Sequence, residues 1–385
     1  MPVYDFDTLV SRRNTNSFKW DKVPADAMPL TTADSDYPAL PDLVEALAQR
    51  VAQANFGYTF ASEGYYANII KWNAKRHQFP IKKEELLTVP GVVCATAFVV
   101  YALTNPGDSV LLCTPVYDPF FNVTREQDRT LLCSSLIRDE AGRYRMDWED
   151  LEVKMQQAKL FILSNPHNPV GRVWSKEELK QLGELCLKYN VPIFSDDIHA
   201  DLIMPGNTYT PICNISDAIA NNVVLAMAPS KTFNIAGLKS SYLVARNETL
   251  RKKVDLALKS FHVGVNLFGL LAADVAYEKG EEWVEQQNRY LFENAKFVLD
   301  FVNEKMPKVK TYIPEGTYLM WLDFSAYGLS QEELVRISEQ EAKVCLNDGS
   351  HYGEEGNGFL RINLAAPRSM VSQAMEQLQA AFARY

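Results

Sequence analysis

Short, almost entirely apolar segments that alternate with helix-like segments constrain the fold of this 385-residue chain most strongly. Four of them end in polar or turn-forming residues and cover 109–113, 159–164, 191–195 and 223–226. Strands without polar alternation are typical of parallel sheets that are covered by helices on both faces. The sequence therefore predicts an α/β fold with a mostly parallel sheet, and such folds bind ligands at the carboxyl ends of the strands.

The pattern changes beyond about residue 275, which indicates a second structural unit. A helical stretch at 283–301 precedes a strand-like run at 318–323, and the end of the chain is again helical in pattern. The proline-rich start of the chain is typical of an extended arm. We predict a large ligand-binding domain and a smaller α+β domain, with these boundaries: 46–275 for the large domain, and 1–45 together with 276–385 for the smaller one.

Charge and cysteine content indicate the class of partner and the compartment. A net charge of −9 gives no support for binding to nucleic acid or to anionic membranes, which favour basic surfaces. The sequence has no run of about 18 apolar residues, and residues 1–7 lack the features of a signal peptide. The six cysteines form no Cys-x-x-Cys pair, so we expect free thiols, no metal site and a cytoplasmic location.

A lysine shortly after one of these strands is the first candidate for chemistry. The strand at 223–226 is followed, after Pro229, by Ser230-Lys231-Thr232. Low-dielectric surroundings near a buried strand lower the pKa of a lysine and free its amine to attack a carbonyl group. A solvated loop lysine is the ordinary alternative, so Lys231 needs support from the other strand ends.

Two further strand ends carry polar side chains. Asp196 and Asp197 follow the third strand, and His199 comes three residues after Asp196. With Asp201 they could bind a metal, but a carboxylate that keeps a heterocyclic nitrogen protonated is the better use of the acid. The turn at 165–171 is either a tight strand-to-helix turn or a rigid support that holds an asparagine amide over a ligand.

Three other positions offer contacts to an anion or to an aromatic ring. Gly91-Val92-Val93 precedes a predicted helix whose N-terminal N–H groups and dipole favour a phosphate, although an ordinary helix entry fits equally. Tyr117 could stack on an aromatic ring, and its alternative is a place in the core. Arg361 lies inside a strand-like run, where it either binds a carboxylate bidentately or forms a salt bridge on an edge strand.

Together these motifs resemble the fold-type-I pyridoxal-phosphate enzymes of the class I/II aminotransferase superfamily, in the same order along nearly the whole chain. Within that superfamily the sequence looks most like the bacterial cystathionine β-lyase or C–S lyase group. The resemblance implies a transferase-like fold with a seven-stranded type of sheet between helices, and pyridoxal 5'-phosphate as the cofactor. The closer match rests on the runs Ala33-Asp34-Ser35-Asp36-Tyr37, Tyr58-Thr59-Phe60-Ala61, Pro115-Val116-Tyr117-Asp118-Pro119-Phe120, Asn165-Pro166-His167-Asn168-Pro169, Ser195-Asp196-Asp197-Ile198-His199, Lys231-Thr232-Phe233-Asn234-Ile235-Ala236-Gly237 and Gly316-Thr317-Tyr318.

The resemblance also implies a role for each candidate residue. Lys231 forms the Schiff base with the cofactor and later moves the α-proton of the substrate. Tyr58 is the second catalytic residue and reaches in from a partner subunit, which implies a homodimer with shared active sites. The implied cofactor contacts are Val92, Val93, Tyr117, Asn168, Asp196, His199, Ser230, Lys231 and Lys239. The implied contacts to a small amino-acid substrate are Arg361, Asp34 and Tyr37.

Three activities follow from the resemblance. The first is a carbon–sulfur β-lyase that cleaves L-cystathionine or related cysteine S-conjugates to a thiol, pyruvate and ammonia. An aminotransferase with a keto-acid acceptor is the alternative, since the same residues serve both reactions up to loss of the α-proton. A cofactor-bound regulatory protein with weak catalysis is the third, and the complete set of candidate residues argues against it. Ser35 and Tyr37 replace the methionine and phenylalanine usual in the lyase group, and Lys239 replaces an arginine of many aminotransferases.

Overall fold

The computed structural model describes residues 2–139 and 142–385. Strands and helices are numbered here in chain order. The strands are Met28–Pro29 (β1), Leu86–Val89 (β2), Ser109–Thr114 (β3), Thr130–Ser135 (β4), Ile137–Arg138 (β5), Tyr144–Arg145 (β6), Ala158–Ser164 (β7), Ile193–Asp196 (β8), Val223–Met227 (β9), Ser241–Val244 (β10), Leu319–Asp323 (β11), Val344–Cys345 (β12), Asn347–Asp348 (β13) and Phe359–Asn363 (β14). The helices are Pro41–Ala52 (α1), Glu63–His77 (α2), Val92–Leu103 (α3), Pro119–Arg125 (α4), Trp148–Met155 (α5), Lys176–Lys188 (α6), Asp217–Ala220 (α7), Glu248–Ser260 (α8), Leu267–Lys279 (α9), Glu281–Lys305 (α10), Gln331–Arg336 (α11) and Arg368–Phe382 (α12).

A seven-stranded sheet forms the centre of the fold, with the strand order β2-β10-β9-β8-β7-β3-β4. The strands from β9 to β4 in this order are parallel, whereas β10 runs antiparallel to both of its neighbours. Ser164 is in register with Asp196, and Asp196 with Ala226, so the carboxyl ends of β7, β8 and β9 lie level. The predicted α/β fold with a mostly parallel sheet is confirmed.

The two faces of each central strand pack into different hydrophobic cores. In β7, Leu160 and Ile162 join the core that contains α3 and α8, while Phe161 and Leu163 join the core on the other face, which includes residues of α5 and α6. Successive side chains of a strand point to opposite faces, so both sets of positions must be apolar when helices cover both sides. This is why the central strands read as continuous apolar runs.

The later part of the chain builds a smaller sheet and binds the N-terminal arm. The strands β11, β14 and β13 form an antiparallel sheet with β14 in the middle. The short β1 pairs in parallel with β12, placing Met28 opposite Val344. The N-terminal arm thereby packs against residues near the end of the chain. The assignment of 1–45 and 276–385 to one domain stays a prediction.

A buried ion pair joins two segments of the N-terminal arm. Lys19 Nζ lies 2.5 Å from Asp36 Oδ2, and both side chains are fully buried. Asp36 Oδ1 also accepts hydrogen bonds from Trp20 Nε1 at 2.7 Å and from Arg12 Nη2 at 3.0 Å. Removal of Lys19 leaves Asp36 with Arg12 as its remaining cationic partner, and loss of one partner of a buried polar group costs about 1–3 kcal/mol.

We expect Lys19→Met to lower the free energy of unfolding by about 1–3 kcal/mol, because Asp36 loses its buried ammonium partner and keeps only its contacts with Arg12 and Trp20. Denaturant unfolding followed by tryptophan fluorescence measures this loss. Lys22→Met is the matched control, since Lys22 is an exposed lysine of the same arm, and it should change stability by less than about 0.5 kcal/mol. Equal losses of stability in the two variants would contradict a stabilising role of the Lys19–Asp36 ion pair.

Candidate active site

Four chain segments meet at the carboxyl edge of the parallel strands. Tyr117 follows β3, Asn168 lies in the turn after β7, Asp196 ends β8 and Lys231 lies in the turn after β9. Because these strands are parallel and adjacent, their final turns share one edge of the sheet. Arg361 of β14 joins them, since its Nη1 donates a 2.9 Å hydrogen bond to Asn168 Oδ1. The two sheets therefore face each other across these side chains.

Lys231 holds its amine in surroundings that favour the neutral form. Its Nζ donates a 2.7 Å hydrogen bond to the carbonyl oxygen of Ala33. The pKa of Lys231 is lowered to about 8, mainly by desolvation and also by the charge of Arg361, against the opposing effect of Asp34. A lysine in water has a pKa of about 10.4. Lys231 can thus act as a nucleophile or as a base at mildly alkaline pH.

Asp196 and Asp197 are both buried, but their surroundings differ. Asp196 accepts a 3.1 Å hydrogen bond from the N–H of Ile198, and burial raises the pKa of Asp196 to about 7. Asp197 instead accepts hydrogen bonds from the hydroxyls of Ser195 and Tyr209, which tie it to its own strand and to a following loop. A cationic group beside Asp196 would stabilise its ionised form, so Asp196 is the carboxylate suited to a cationic ring nitrogen.

His199 contributes an unpaired ring nitrogen to the same edge. Its side chain is buried, and its ring packs edge-on against Tyr318 with ring centroids 5.9 Å apart. Burial lowers the pKa of His199, and the positive charges of Lys231 and Arg361 act in the same direction. Within the described residues, His199 Nδ1 and the Tyr318 hydroxyl are buried without a hydrogen-bond partner. Buried polar atoms are rarely left unpaired, so these two indicate a place for a polar ligand group.

The start of α3 has the geometry of an anion site. Gly91 adopts a φ of +103°, and its N–H lies 2.9 Å from Ser241 Oγ. The helix then begins at Val92, followed by the exposed Val93, and the first N–H groups of a helix lack intrahelical partners. A Cβ added at Gly91 would lie 4.0 Å from Lys239 Cδ, so the Lys239 stem passes close to Gly91. Backbone N–H donors and the Lys239 side chain thus lie close together at the start of α3.

Neutral hydrogen-bond acceptors hold the guanidinium of Arg361 in place. Nη2 donates to Asn347 Oδ1 at 2.8 Å and to the carbonyl oxygen of Thr31 at 3.1 Å. The guanidinium also lies over the ring of Tyr352, 5.1 Å from its centroid. Arg361 forms no salt bridge within the described residues, and β14 is the central strand of its sheet. The alternative interpretation as an edge-strand salt bridge is therefore wrong, and the charge of Arg361 has no anionic partner of its own there.

Residues 31–36 of the N-terminal arm cross the site between the two sheets. The backbone of Ser35 exchanges hydrogen bonds with the Asn234 amide at 3.0 and 2.9 Å. The Asn363 amide donates to the carbonyl oxygens of Thr32 and Asp34, at 2.7 and 2.8 Å. The Asp34 carboxylate pairs with Arg12 at 2.8 Å. The arm thus connects the Lys231 turn with the strand that carries Arg361.

Two predicted residues lie away from this cluster. Tyr37 is 2% exposed, donates a 2.9 Å hydrogen bond to Gln287 and packs edge-on against Phe6. Tyr37 thus lies in the core, and its contact with a substrate stays a prediction. Tyr58 is fully exposed in a segment without regular structure, so the fold of this chain does not bring it to Lys231. Ser230 lies beside Lys231 and is half-buried.

The sequence analysis did not find the asparagines that support the site. Asn347 lies directly opposite Arg361 in the β13–β14 pairing and accepts its hydrogen bond. Asn363 and Asn234 bind the N-terminal arm from opposite sides. Of these, Asn234 had a usable signal, because it lies three residues after Lys231 in the same motif; in the structure it has a φ of +57°. Single asparagines in strands give no comparable signal.

The described residues contain no candidate metal site, no disulfide and no candidate for a membrane-spanning helix. Across 2–139 and 142–385, no group of three or more His, Cys, Asp and Glu side chains could hold a metal ion. The six cysteines form no disulfide. Among the helices of this part of the chain, none combines the length and the apolar character that a membrane crossing requires.

Comparison with known proteins extends the likeness to the whole chain. The model of the family "Aminotransferase class I and II" matches residues 25–378. The cystathionine beta-lyase PatB of Bacillus subtilis is 39% identical, over 98% of this chain and 99% of that protein. A pyridoxal-phosphate-bound protein from Clostridium difficile 630 is 44% identical with a TM-score of 0.97, covering 98% of this chain and 100% of its own. A pyridoxal-phosphate-bound C–S lyase from Staphylococcus hominis is 31% identical with a TM-score of 0.91, covering 98% of each chain.

The family match spans most of the chain and includes every segment of the cluster described above. The fold agrees as well, because the Clostridium difficile and Staphylococcus hominis structures superpose over nearly their full length. Lys231, Asp196, Asn168 and Arg361 thus lie together within a fold shared with pyridoxal-phosphate-bound proteins. This chain belongs to the class I and II aminotransferase family and has the fold-type-I transferase architecture.

Proposed function

We propose that this chain is a pyridoxal-phosphate-dependent carbon–sulfur β-lyase. It cleaves L-cystathionine or a related cysteine S-conjugate to a thiol, pyruvate and ammonia. The observation that carries this proposal is the 39% identity with the cystathionine beta-lyase PatB over almost the full length of both chains. The C–S lyase of Staphylococcus hominis, with its TM-score of 0.91, supports the same assignment.

The side chains at the sheet edge fit the cofactor part by part. Buried His199 Nδ1 has no partner within the described residues, as expected for a group that faces a polar ligand substituent. The Gly91 turn and Lys239 suit the phosphate, and Tyr117 is half-buried where it can cover a ring. When bound, pyridoxal phosphate supplies a carbonyl group for an amine and a protonated pyridine ring that accepts electrons.

Arg361 is the group that binds the substrate α-carboxylate. Its guanidinium is buried and donates only to neutral oxygens, those of Asn168, Asn347 and Thr31, while its Nε has no partner within the described residues. A carboxylate accepts two parallel hydrogen bonds from a guanidinium and adds a charge that these acceptors lack. Arg361 thus fixes the substrate in one orientation relative to Lys231.

Lys231 takes the proton from the α-carbon of the bound amino acid. Its pKa of about 8 leaves a large share of the amine neutral near that pH, so Nζ can accept the proton. The β-carbon–sulfur bond then breaks, and its electron pair leaves with the sulfur as a thiolate. Hydrolysis of the remaining three-carbon fragment gives pyruvate and ammonia. Asp196 keeps the charge that holds the ring nitrogen protonated throughout.

Transamination is the second candidate. The family name favours it, and the Clostridium difficile structure carries a provisional aminotransferase description. The roles of Arg361, Asp196 and Lys231 are the same in both reactions until the α-proton has left. The reactions then differ in the fate of the substrate, because a transaminase returns the proton to the cofactor and needs a keto acid to complete its cycle.

A homodimer with shared sites completes the proposal. Phe56, Tyr58 and Phe60 expose 58%, 111% and 86% of their surface in a segment that has no regular structure. Clustered exposed aromatic side chains are typical of protein interfaces, and a second copy of this chain is the partner that we propose. Tyr58 of one subunit then enters the site that contains Lys231 of the other.

One assay without added keto acid distinguishes elimination from transamination. The loaded protein, incubated with L-cystathionine, should release many equivalents of pyruvate per active site, because elimination returns the cofactor unchanged in each cycle. Lys231→Ala should abolish the release, whereas Lys252→Ala, which removes a surface lysine paired with Glu248, should leave it intact. Absence of pyruvate, with one equivalent per site of the keto acid of cystathionine until a keto-acid acceptor is added, would establish transamination instead.

Cofactor capture by the apoprotein should rise with pH and reach half of its maximum near pH 8. Only the neutral amine of Lys231 attacks a carbonyl, and its pKa is lowered to about 8 by desolvation. Stopped-flow absorbance after mixing with pyridoxal phosphate, from about pH 6.5 to 10, measures this profile. A midpoint near the ordinary lysine value of about 10.4 would contradict a desolvated amine.

Mixed dimers test the sharing of sites. Lys231→Ala and Tyr58→Ala subunits with different affinity tags are co-expressed, and the mixed dimer is purified. If Tyr58 serves the site of the other subunit, one of the two sites is intact, and activity should be about half that of the wild-type dimer. Both pure variant dimers are the controls and should be nearly inactive. An inactive mixed dimer would place Tyr58 in the site of its own chain.

A further inference from the structure

Asp201 lies behind the Lys231 turn as a fully surrounded carboxylate. It is 5% exposed. Its Oδ1 accepts from Trp72 Nε1 at 2.9 Å and lies 3.0 Å from His77 Nε2 and 3.2 Å from Arg76 Nε. Its Oδ2 accepts from Thr232 Oγ1 at 3.0 Å. Three of these partners come from α2, and the fourth comes from the turn that carries Lys231.

The Asp201 carboxylate is arranged to stay ionised. Burial alone would raise the pKa of Asp201, but the hydrogen bond from His77 and the charges of His77 and Arg76 lower it below the ordinary value. A buried carboxylate with this many donors is rigid, because movement would leave several polar groups unpaired. Asp201 is therefore a fixed point against which neighbouring turns can be placed.

Two turns of the active site are connected to this fixed point. Thr232 is fully buried, and besides its bond to Asp201 its carbonyl oxygen accepts from Gln287 Nε2 at 3.1 Å. On the other side, the N–H of Leu202 donates to the carbonyl oxygen of His199 at 2.9 Å. Asp201 thus connects Thr232, the neighbour of Lys231, with the turn that carries His199. The Asp201 carboxylate forms none of its hydrogen bonds with Lys231 or with the His199 side chain.

An open cavity adjoins the α2 side of this connection. Trp72, Arg76 and His77 also line an open cavity of about 820 Å³, together with Tyr209 and Tyr277. The α2 partners of Asp201 thus line this cavity, whereas Asp201 and Thr232 are not among its lining residues.

We propose that Asp201 is a positioning residue that acts on Lys231 through the Thr232 hydroxyl. It holds the amine at a set place and keeps water of the cavity away from the Lys231 turn. The proposal rests on the proposed use of Lys231 as the amine that captures the cofactor and moves the α-proton. A purely structural role for Asp201 would change stability and leave the Lys231 amine as it is.

Thr232→Val tests the connection, because valine keeps the shape of threonine and removes the hydroxyl. Thr232→Ser keeps the hydroxyl and serves as the conservative variant. Thr124→Val is the matched control, since Thr124 is also fully buried and its Oγ1 donates to a helix carbonyl, that of Phe120. All variants are examined for cofactor capture by the apoprotein against pH, for kcat and KM of the loaded enzyme, and for Tm.

The pH midpoint of capture should move upward by about half a unit or more in Thr232→Val, because a better hydrated amine is easier to protonate. In the loaded enzyme kcat should fall about tenfold or more, while KM changes less than about threefold, since Arg361 still binds the carboxylate. Thr232→Ser should restore both values nearly to wild type. Thr124→Val should lower Tm without moving the capture midpoint.

Combination with Asp201→Asn gives the sharper test. If both residues act through one hydrogen bond, the double variant should lose no more kcat than the worse single variant. Additive losses, an unchanged capture midpoint in Thr232→Val, or a Thr232→Ser variant as impaired as Thr232→Val would each overturn the proposal. The capture experiment needs no lyase substrate. A wild-type protein that forms no pyruvate would therefore refute the proposed lyase activity, while the capture midpoints of the variants would still decide the role of Asp201.

Discussion

The parallel pairing of β3, β7, β8 and β9 is the constraint on which the rest of the site depends. Level strand ends place the Asn168, Asp196 and Lys231 turns side by side, although α6 and α7 separate them in sequence. Helices on both faces leave this edge as the place where polar side chains can gather. The smaller sheet then covers the edge and contributes Arg361, whose bond to Asn168 joins the two sheets directly.

Burial has opposite effects on the two principal charges of the site. It raises the pKa of Asp196 to about 7 and lowers that of Lys231 to about 8, so both groups are moved toward their neutral forms. A ligand with a cationic nitrogen at one end and a reactive carbonyl at the other suits both shifts, because it stabilises the carboxylate and consumes the neutral amine. The uncompensated guanidinium of Arg361 adds a place for a carboxylate. These electrostatic features belong to the polypeptide itself.

The sequence sufficed for the features that local patterns encode. Continuous apolar runs indicated the parallel sheet, and the polar residues after them indicated Lys231 and Asp196, because both signals are short in range. It failed where tertiary packing decides. The hydrogen bond from Tyr37 to Gln287 of α10 could not be predicted from the motif around Tyr37, because the two residues are 250 positions apart. The sequence analysis did not find Asn347, because its role depends on its position opposite Arg361 in the β13–β14 pairing. No local sequence pattern reveals that pairing.

The pairing of β1 with β12 has a consequence for how the protein is made. Residues 28–36 leave the ribosome early, but their partners around Val344 and Asn363 are synthesised more than 300 residues later. The seven-stranded sheet ends at Val244, so it can assemble while the arm is still without a partner. Contacts of such sequence separation form slowly. A nascent chain that stops before β12 therefore contains every strand of the seven-stranded sheet and Lys231, but neither Arg361 nor the strand with which β1 pairs.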